Sequence, residues 1–207
     1  ARGASSPAAG GPGGACAAEH GLVIVYLLRH GIAADAAAGG DDAARRLTPR
    51  GRVRLELAAR GMKSIRLECE ALLTSPLPRA AETAAIVARV HGGMPAPRVL
   101  EALRPGVPAA EIVRALGPAV REKHVMLVGH EPGLSGVAAL LLTGSTEGLA
   151  LALKKGGLVA LSLPGSAAPR PRGTPLDAHP AAAARARPLT SPHLPALPRR
   201  GRPDRDG

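Results

Sequence analysis

Apolar residues run without a break from Leu22 to Leu28 and stop at Arg29-His30-Gly31. A strand with one wet face would alternate, so this run predicts a strand buried on both faces. A Gly/Ala/Asp-rich stretch at 31–47 follows and is expected to be a surface loop. Thr48-Pro49 then predicts a helix start, with the hydroxyl as N-cap and proline at the first helical position. That helix is expected over Pro49–Arg60, stopping at Gly61. Cys69–Thr74 reads as a second strand, and Ser75-Pro76-Leu77-Pro78 turns the chain into a helix that runs to about Val90 and closes at Gly92-Gly93. Further on come a short strand at Arg98–Leu100, a short helix at Pro108–Leu116 stopped by Gly117-Pro118, and a strand at His124–Val128. Glu131-Pro132-Gly133 leads into an apolar helix, Leu134–Leu142, and Leu158–Leu163 is the last strand. Strands alternating with helices predict an α/β fold: a single three-layer domain with a mostly parallel central sheet flanked by helices.

The two ends of the 207-residue chain do not share this pattern. Segment 1–20 is almost entirely Ala, Gly, Pro and Ser, while 165–207 holds nine prolines and eight arginines and no Phe, Tyr, Ile, Val or Met. Neither can bury enough apolar surface to offset the entropy of ordering it. A disordered lead (1–20) and a Pro/Arg-rich disordered tail (165–207) are therefore expected around a folded unit at 21–164. The tail has the composition to dock on acidic or proline-binding partners, but an extension without a role is the plainer reading.

Net charge is +11, of which +5 falls in the tail and +6 in 22–164. A basic balance suits anionic partners. Phe and Trp are absent and Tyr26, the single Tyr, lies in the first strand, so bases have no aromatic platform and no specific nucleic-acid partner is expected. Cys16 and Cys69 are the two cysteines, which indicates no disulfide framework and a reducing, cytoplasmic setting. No apolar run approaches the roughly 20 residues that cross a bilayer, so no membrane partner is expected.

Three predicted strands end in residues that handle phosphate. The first ends in Arg29 and His30; the second in Ser75, with Arg79 one turn into the next helix; the fourth in Gly129-His130. In a parallel sheet these junctions share one edge, where such folds bind ligands. Arginines offer forked donors to phosphoryl oxygens, and helix N-termini add amide donors and positive potential. Other phosphate chemistries fit poorly. Cys69 is followed six positions later by Ser75 where a cysteine phosphatase needs arginine, and no Gly-Lys-Ser/Thr loop is present. Gly133-Leu134-Ser135-Gly136 lacks the spacing of a nucleophile elbow, and His124 and His130 lack companion ligands for zinc.

The order of these motifs resembles the histidine phosphatase superfamily, with its phosphoglycerate mutase-like fold. The resemblance rests on Arg29-His30-Gly31, on Ser75-Pro76-Leu77-Pro78-Arg79-Ala80-Ala81-Glu82-Thr83-Ala84, and on Val128-Gly129-His130-Glu131-Pro132-Gly133-Leu134-Ser135. Leu47-Thr48-Pro49-Arg50-Gly51, Leu103-Arg104-Pro105-Gly106 and Lys154-Lys155-Gly156-Gly157-Leu158 are similar to its short SixA-type phosphohistidine phosphatases, and no cap domain interrupts the motifs. The resemblance spans about residues 22–164. It implies a phosphatase that forms a covalent phosphohistidine intermediate, with His30 as nucleophile and Arg29, Arg79 and His130 as catalytic partners. Gly31 and Ser75 would bind substrate, and no metal or cofactor would be needed. The nearby cations should keep the His30 imidazole neutral, and a backbone carbonyl holding one ring proton would free the other nitrogen for attack.

Glu101 is a possible general acid for the leaving group, and Glu131 a second candidate. Without a strong acid the site suits the labile P–N bond of phosphohistidine on a histidine phosphotransfer domain of a signalling relay. Two alternatives stand beside this reading: a phosphomonoesterase for small sugar or nucleotide phosphates, and a catalytically silent phosphate-binding scaffold. A monomer is expected in each case.

Overall fold

The structure, a computed structural model, describes residues 22–35, 41–119, 122–164 and 185–188. The order is β1 (Leu22–Arg29), α1 (Pro49–Ser64), β2 (Ala71–Thr74), α2 (Pro78–His91), β3 (Arg98–Val99), α3 (Ala109–Ala119), β4 (His124–Gly129), α4 (Gly133–Thr143), β5 (Leu158–Pro164) and β6 (Arg185–Pro188). Short 3-10 turns at Asp42–Ala44 and Glu101–Leu103 precede α1 and α3.

Among the described residues the strands form one sheet in the order β3-β2-β4-β1-β5-β6. β1, β2, β3 and β4 are mutually parallel where they pair, while β5 runs antiparallel to both β1 and β6. The expected mostly parallel α/β sheet is therefore present, with helices on both faces. The parity of the strand residues shows why β1 reads as an unbroken apolar run. Val25 and Leu27 point into a core closed by Ile112, Leu134 and Val137 of α3 and α4. Tyr26 and Leu28 point into the opposite core, closed by Ala59, Ala80 and Val87 of α1 and α2. Consecutive side chains alternate faces, and here both faces are dry.

Several boundaries differ from the sequence expectation. Helix α1 continues through Gly61 to Ser64 and is capped at Ile65. Met62 is buried against the sheet and holds the last turn in place, so tertiary packing overrides the glycine stop signal. Helix α3 likewise runs through Gly117-Pro118 to Ala119. The cap at Gly92 is as expected, with φ of 75° in the left-handed region that glycine adopts without a Cβ penalty. Residues 185–188 are the exception to the disorder expected of 165–207: they pair backbone to backbone with β5, whose outer edge would otherwise be open. The rest of that tail, and the lead at 1–20, lie outside the described residues.

Candidate active site

Register carries the site. Arg29 is paired with Gly129 and Thr74 with Val128, so the exits of β1, β4 and β2 lie level at one edge of the sheet. The His30 amide donates to the Gly129 carbonyl (3.0 Å) and the Ser75 amide to the Val128 carbonyl (2.9 Å), extending the ladder just past the strands. His30 and His130 are thereby brought ring to ring, with centroids 4.9 Å apart and planes inclined by 53°.

His30 is buried, and its Nδ1 lies 2.7 Å from the Gly31 carbonyl. A carbonyl can only accept, so Nδ1 carries the proton and Nε2 is left with its lone pair. Burial pushes the His30 pKa down to about 4, against the opposing Gly31 bond and with help from the Arg79, Arg29 and Lys155 cations. His130, also buried, places Nε2 3.0 Å from Ser75 Oγ. Burial and then the neighbouring His30, with Arg79 and Arg29, push its pKa down to about 3. Both imidazoles are neutral at physiological pH.

The arginines are held from different directions. Arg29 donates Nη1 to the Leu153 carbonyl (2.6 Å), and its buried Nε has no partner among the described residues. The 153–157 turn is fixed to the end of β1, since the Gly156 amide reaches the Arg29 and His30 carbonyls and the Arg29 amide reaches the Gly157 carbonyl. Arg79 is buried in the first turn of α2 and donates Nη1 to the Asp42 carbonyl (2.6 Å) and Nη2 to Asp42 Oδ2 (3.0 Å).

Gly31 and Ser75, expected to bind substrate, have inward hydrogen-bond partners. The Gly31 amide donates to Thr83 Oγ1 (3.0 Å), whose own hydroxyl donates to the Arg79 carbonyl (2.7 Å). Ser75 is fully buried behind His130. A side chain at Gly31 would meet Leu55 Cδ1 at 2.5 Å, so glycine is needed there for close packing of α1. Neither candidate acid joins the cluster. Glu101 is exposed and accepts from Arg104 Nε at 2.6 Å. Glu131 accepts from the Ser135 amide (3.4 Å) and hydroxyl (2.5 Å) with Oε2, and from the Leu153 amide (3.0 Å) with Oε1. It caps α4 and ties it to the 153–157 turn. The Leu134 amide is likewise taken, by the His130 carbonyl, so the Leu134 and Ser135 amides expected to be free at the start of α4 bond to the protein itself.

Three neighbours of the cluster were given no role from the sequence: Asp42, and Thr83 and Lys155, which entered only as members of longer motifs. Thr83 could have been found, because it lies four positions after Arg79 and so on the same helix face. Asp42 sits in a loop of low-information composition, and Lys155 in a turn whose docking on β1 is a tertiary matter.

Comparison with known proteins agrees with this geometry. Residues 25–104 match the family model of the histidine phosphatase superfamily (branch 1). An uncharacterized protein of Picosynechococcus sp. is 39% identical over 139 residues, covering 66% of this chain and 83% of that protein. Among solved structures, an Agrobacterium tumefaciens protein assigned as a SixA phosphohistidine phosphatase superposes with a TM-score of 0.59 at 25% identity, covering 67% of this chain and 90% of the other. The protein histidine phosphatase SixA in complex with tungstate gives 0.60 at 27% identity, with 67% and 87% covered. A mycobacterial glucosyl-3-phosphoglycerate phosphatase, at 19% identity and 0.54 with 68% and 90% covered, shares the fold. The chain belongs to the histidine phosphatase superfamily and is a phosphatase built on a SixA-like form of its fold.

Proposed function

We propose that this phosphatase removes the phosphoryl group from phosphohistidine on a phosphotransfer protein of a signalling relay, working as a cytoplasmic monomer through a phospho-His30 intermediate. The observation that carries the reading is the His30 imidazole: neutral, its Nδ1 proton held by the Gly31 carbonyl, its Nε2 free beside two guanidinium groups and His130.

In the first step Nε2 of His30 forms a bond to phosphorus as the P–N bond to the substrate imidazole breaks. The bond electrons leave with the substrate nitrogen, which takes a proton from solvent. Arg29 and Arg79 balance charge on the transferring oxygens, the main demand of phosphoryl transfer. The Leu77 amide donates to Ser75 Oγ (3.4 Å), so the hydroxyl hydrogen is free for His130 Nε2. The imidazole proton then stays on Nδ1 as a neutral donor for a phosphoryl oxygen. In the second step water attacks phosphorus and loses a proton, the P–N bond to His30 breaks, and inorganic phosphate leaves.

The leaving group argues for phosphohistidine over an ester. An alkoxide needs a proton from a nearby acid, whereas the carboxyls of Glu101 and Glu131 are committed to Arg104 and to Ser135 and Leu153. The SixA relatives described above support the same substrate class, and no helix among the described residues is long and apolar enough to cross a membrane.

The test is turnover and intermediate trapping on a phosphohistidine-bearing phosphotransfer protein, set beside a panel of sugar and nucleotide monophosphates. Rapid dephosphorylation of histidine, slow ester hydrolysis and a trapped phospho-His30 are the expected results. His30→Ala should lower turnover by at least about a thousandfold and abolish the adduct. Fast ester hydrolysis with little action on phosphohistidine would move the substrate to small esters. A folded chain silent on both would be a phosphate-binding scaffold.

A further inference from the structure

Asp42 takes both terminal nitrogens of the Arg79 guanidinium. Arg79 is buried, its side chain 5% exposed, and it gives Nη2 to Asp42 Oδ2 at 3.0 Å and Nη1 to the Asp42 carbonyl at 2.6 Å. The other carboxylate oxygen, Oδ1, takes Arg45 Nη1 at 2.6 Å. Asp42 itself is 62% exposed, at the solvent side of the pair. Its loop is fastened from both sides, since Arg45 Nε donates to the Ala34 carbonyl and the Ala34 amide to the Arg46 carbonyl. Arg29, Arg79 and Lys155 all act on His30, whereas the Asp42 carboxylate opposes the lowering of the His130 pKa.

We propose that the Asp42 carboxylate is a resident counter-ion of the phosphoryl site, displaced from Arg79 by the incoming phosphoryl group, and that Arg45, released with it, becomes a further cation at the mouth. Asp42 and Arg45 then set the affinity of the site and its selectivity for doubly charged groups. The inference rests on reading this cluster as the phosphoryl site, and it adds the residues that tune it.

Three physical points carry it. A carboxylate and a phosphoryl group make the same forked contact with guanidinium, so they compete for the same N–H. An ion pair with one exposed partner holds weakly, while a phosphoryl dianion brings twice the charge. The bond from Arg79 to the Asp42 main-chain carbonyl does not involve the carboxylate and can stay in place while the side chain swings away, so Arg79 remains oriented. A role for Asp42 as proton donor is disfavoured, because hydrogen bonding to Arg45 and the charge of Arg79 hold its carboxyl below the usual carboxylate range.

Calorimetric titration of the full chain with inorganic phosphate tests this. Asp42→Asn keeps the side-chain shape and removes the charge; it should bind phosphate roughly fivefold tighter and lower KM, with the gain shrinking as salt rises. Arg45→Ala should bind several-fold weaker, since it removes a cation and leaves Asp42 free to grip Arg79. Asp42→Ala should repeat the tightening, and thermal melts of all three confirm folding. Unchanged affinity in Asp42→Asn would overturn the inference. Weaker binding with a fall in kcat would also overturn it, and would make Asp42 a residue that orients Arg79. Binding by the wild-type chain that is lost in Arg79→Ala but unmoved in Asp42→Asn would sink this inference alone. A wild-type chain that neither binds phosphate nor turns over any phosphoryl substrate would sink the site reading itself.

Discussion

At His30 and His130, burial and the surrounding cations act in one direction, and the consequence is a matter of sign. The folded state holds both imidazoles neutral down to about pH 4 and about pH 3, while the unfolded chain protonates them near the ordinary value of 6.5. Below pH 6.5 the unfolded state therefore binds more protons, and stability falls as pH falls. Each histidine contributes about 1.4 kcal/mol per pH unit in that window. Denaturant melts at pH 7 and pH 5 should show the loss, and it should shrink in a His130→Gln variant. An NMR titration of the two rings should show neither protonating between pH 5 and 8. Protonation of His30 near 6.5 would remove the case for a nucleophile that is neutral by design. Thr83 supports the same pair through the backbone. Thr83→Val leaves the Gly31 amide without its partner in a buried place, which costs about 1–3 kcal/mol. Turnover should fall about tenfold as Gly31 and His30 lose their fixed geometry, and Thr83→Ser should restore it.

At the scale of elements, α1 and the segment just after β1 approach closely enough for glycine alone. A Cβ at Gly51 would stand 2.2 Å from the Ile32 carbonyl oxygen, which is backbone and cannot yield as a side-chain end would. Gly51→Ala should therefore cost about 1–3 kcal/mol and reduce activity by shifting the 31–33 segment beside His30. Gly61→Ala is the contrasting case. Nothing lies within 4 Å of its Cβ position and the helix continues through it, so the change should raise stability by about 0.5–1 kcal/mol. Thermal melts of both variants check the pair. The sequence showed both glycines but read Gly61 as a helix stop, because propensity cannot know that Met62 is anchored in the core. Thr48 was legible: its N-cap bond to the Gly51 amide (2.9 Å) is local, and local bonds leave local signals. Glu82 was not. It reaches from α2 to Arg46, Arg52 and the Leu47 amide, fastening the start of α1 to the site, and its partners lie 30 to 36 positions away.

For the whole molecule, strand order decides what meets. Placing β4 between β1 and β2 sets the three strand exits side by side. Every side chain of the cluster lies within 22–164, as do the helices that close both faces of the sheet. A chain of residues 22–164 should therefore fold and retain turnover, giving up only the pairing of β6 with β5. Circular dichroism and assay of that fragment check it, and a fragment that folds yet loses activity would assign the outer segments a part in catalysis.

What the amino-acid sequence determined by itself is what depends on neighbours along the chain. The unbroken apolar run of β1, the Thr48-Pro49 helix start and the αL cap at Gly92 arise from local sterics, hydrogen bonding and periodicity. Arg29, His30, Arg79 and His130 also stood out, because each follows a strand in a fold whose parallel strands share one functional edge. Only the tertiary structure decided the rest. It bonded Gly31 and Ser75 inward, engaged Glu101 with Arg104 and Glu131 with Ser135 and Leu153, and set Asp42 on Arg79 and the Lys155 turn against β1. These are pairings between segments distant in sequence. They are selected by which buried donors and charges remain unsatisfied once the sheet is assembled, and no local pattern of residues encodes that sum.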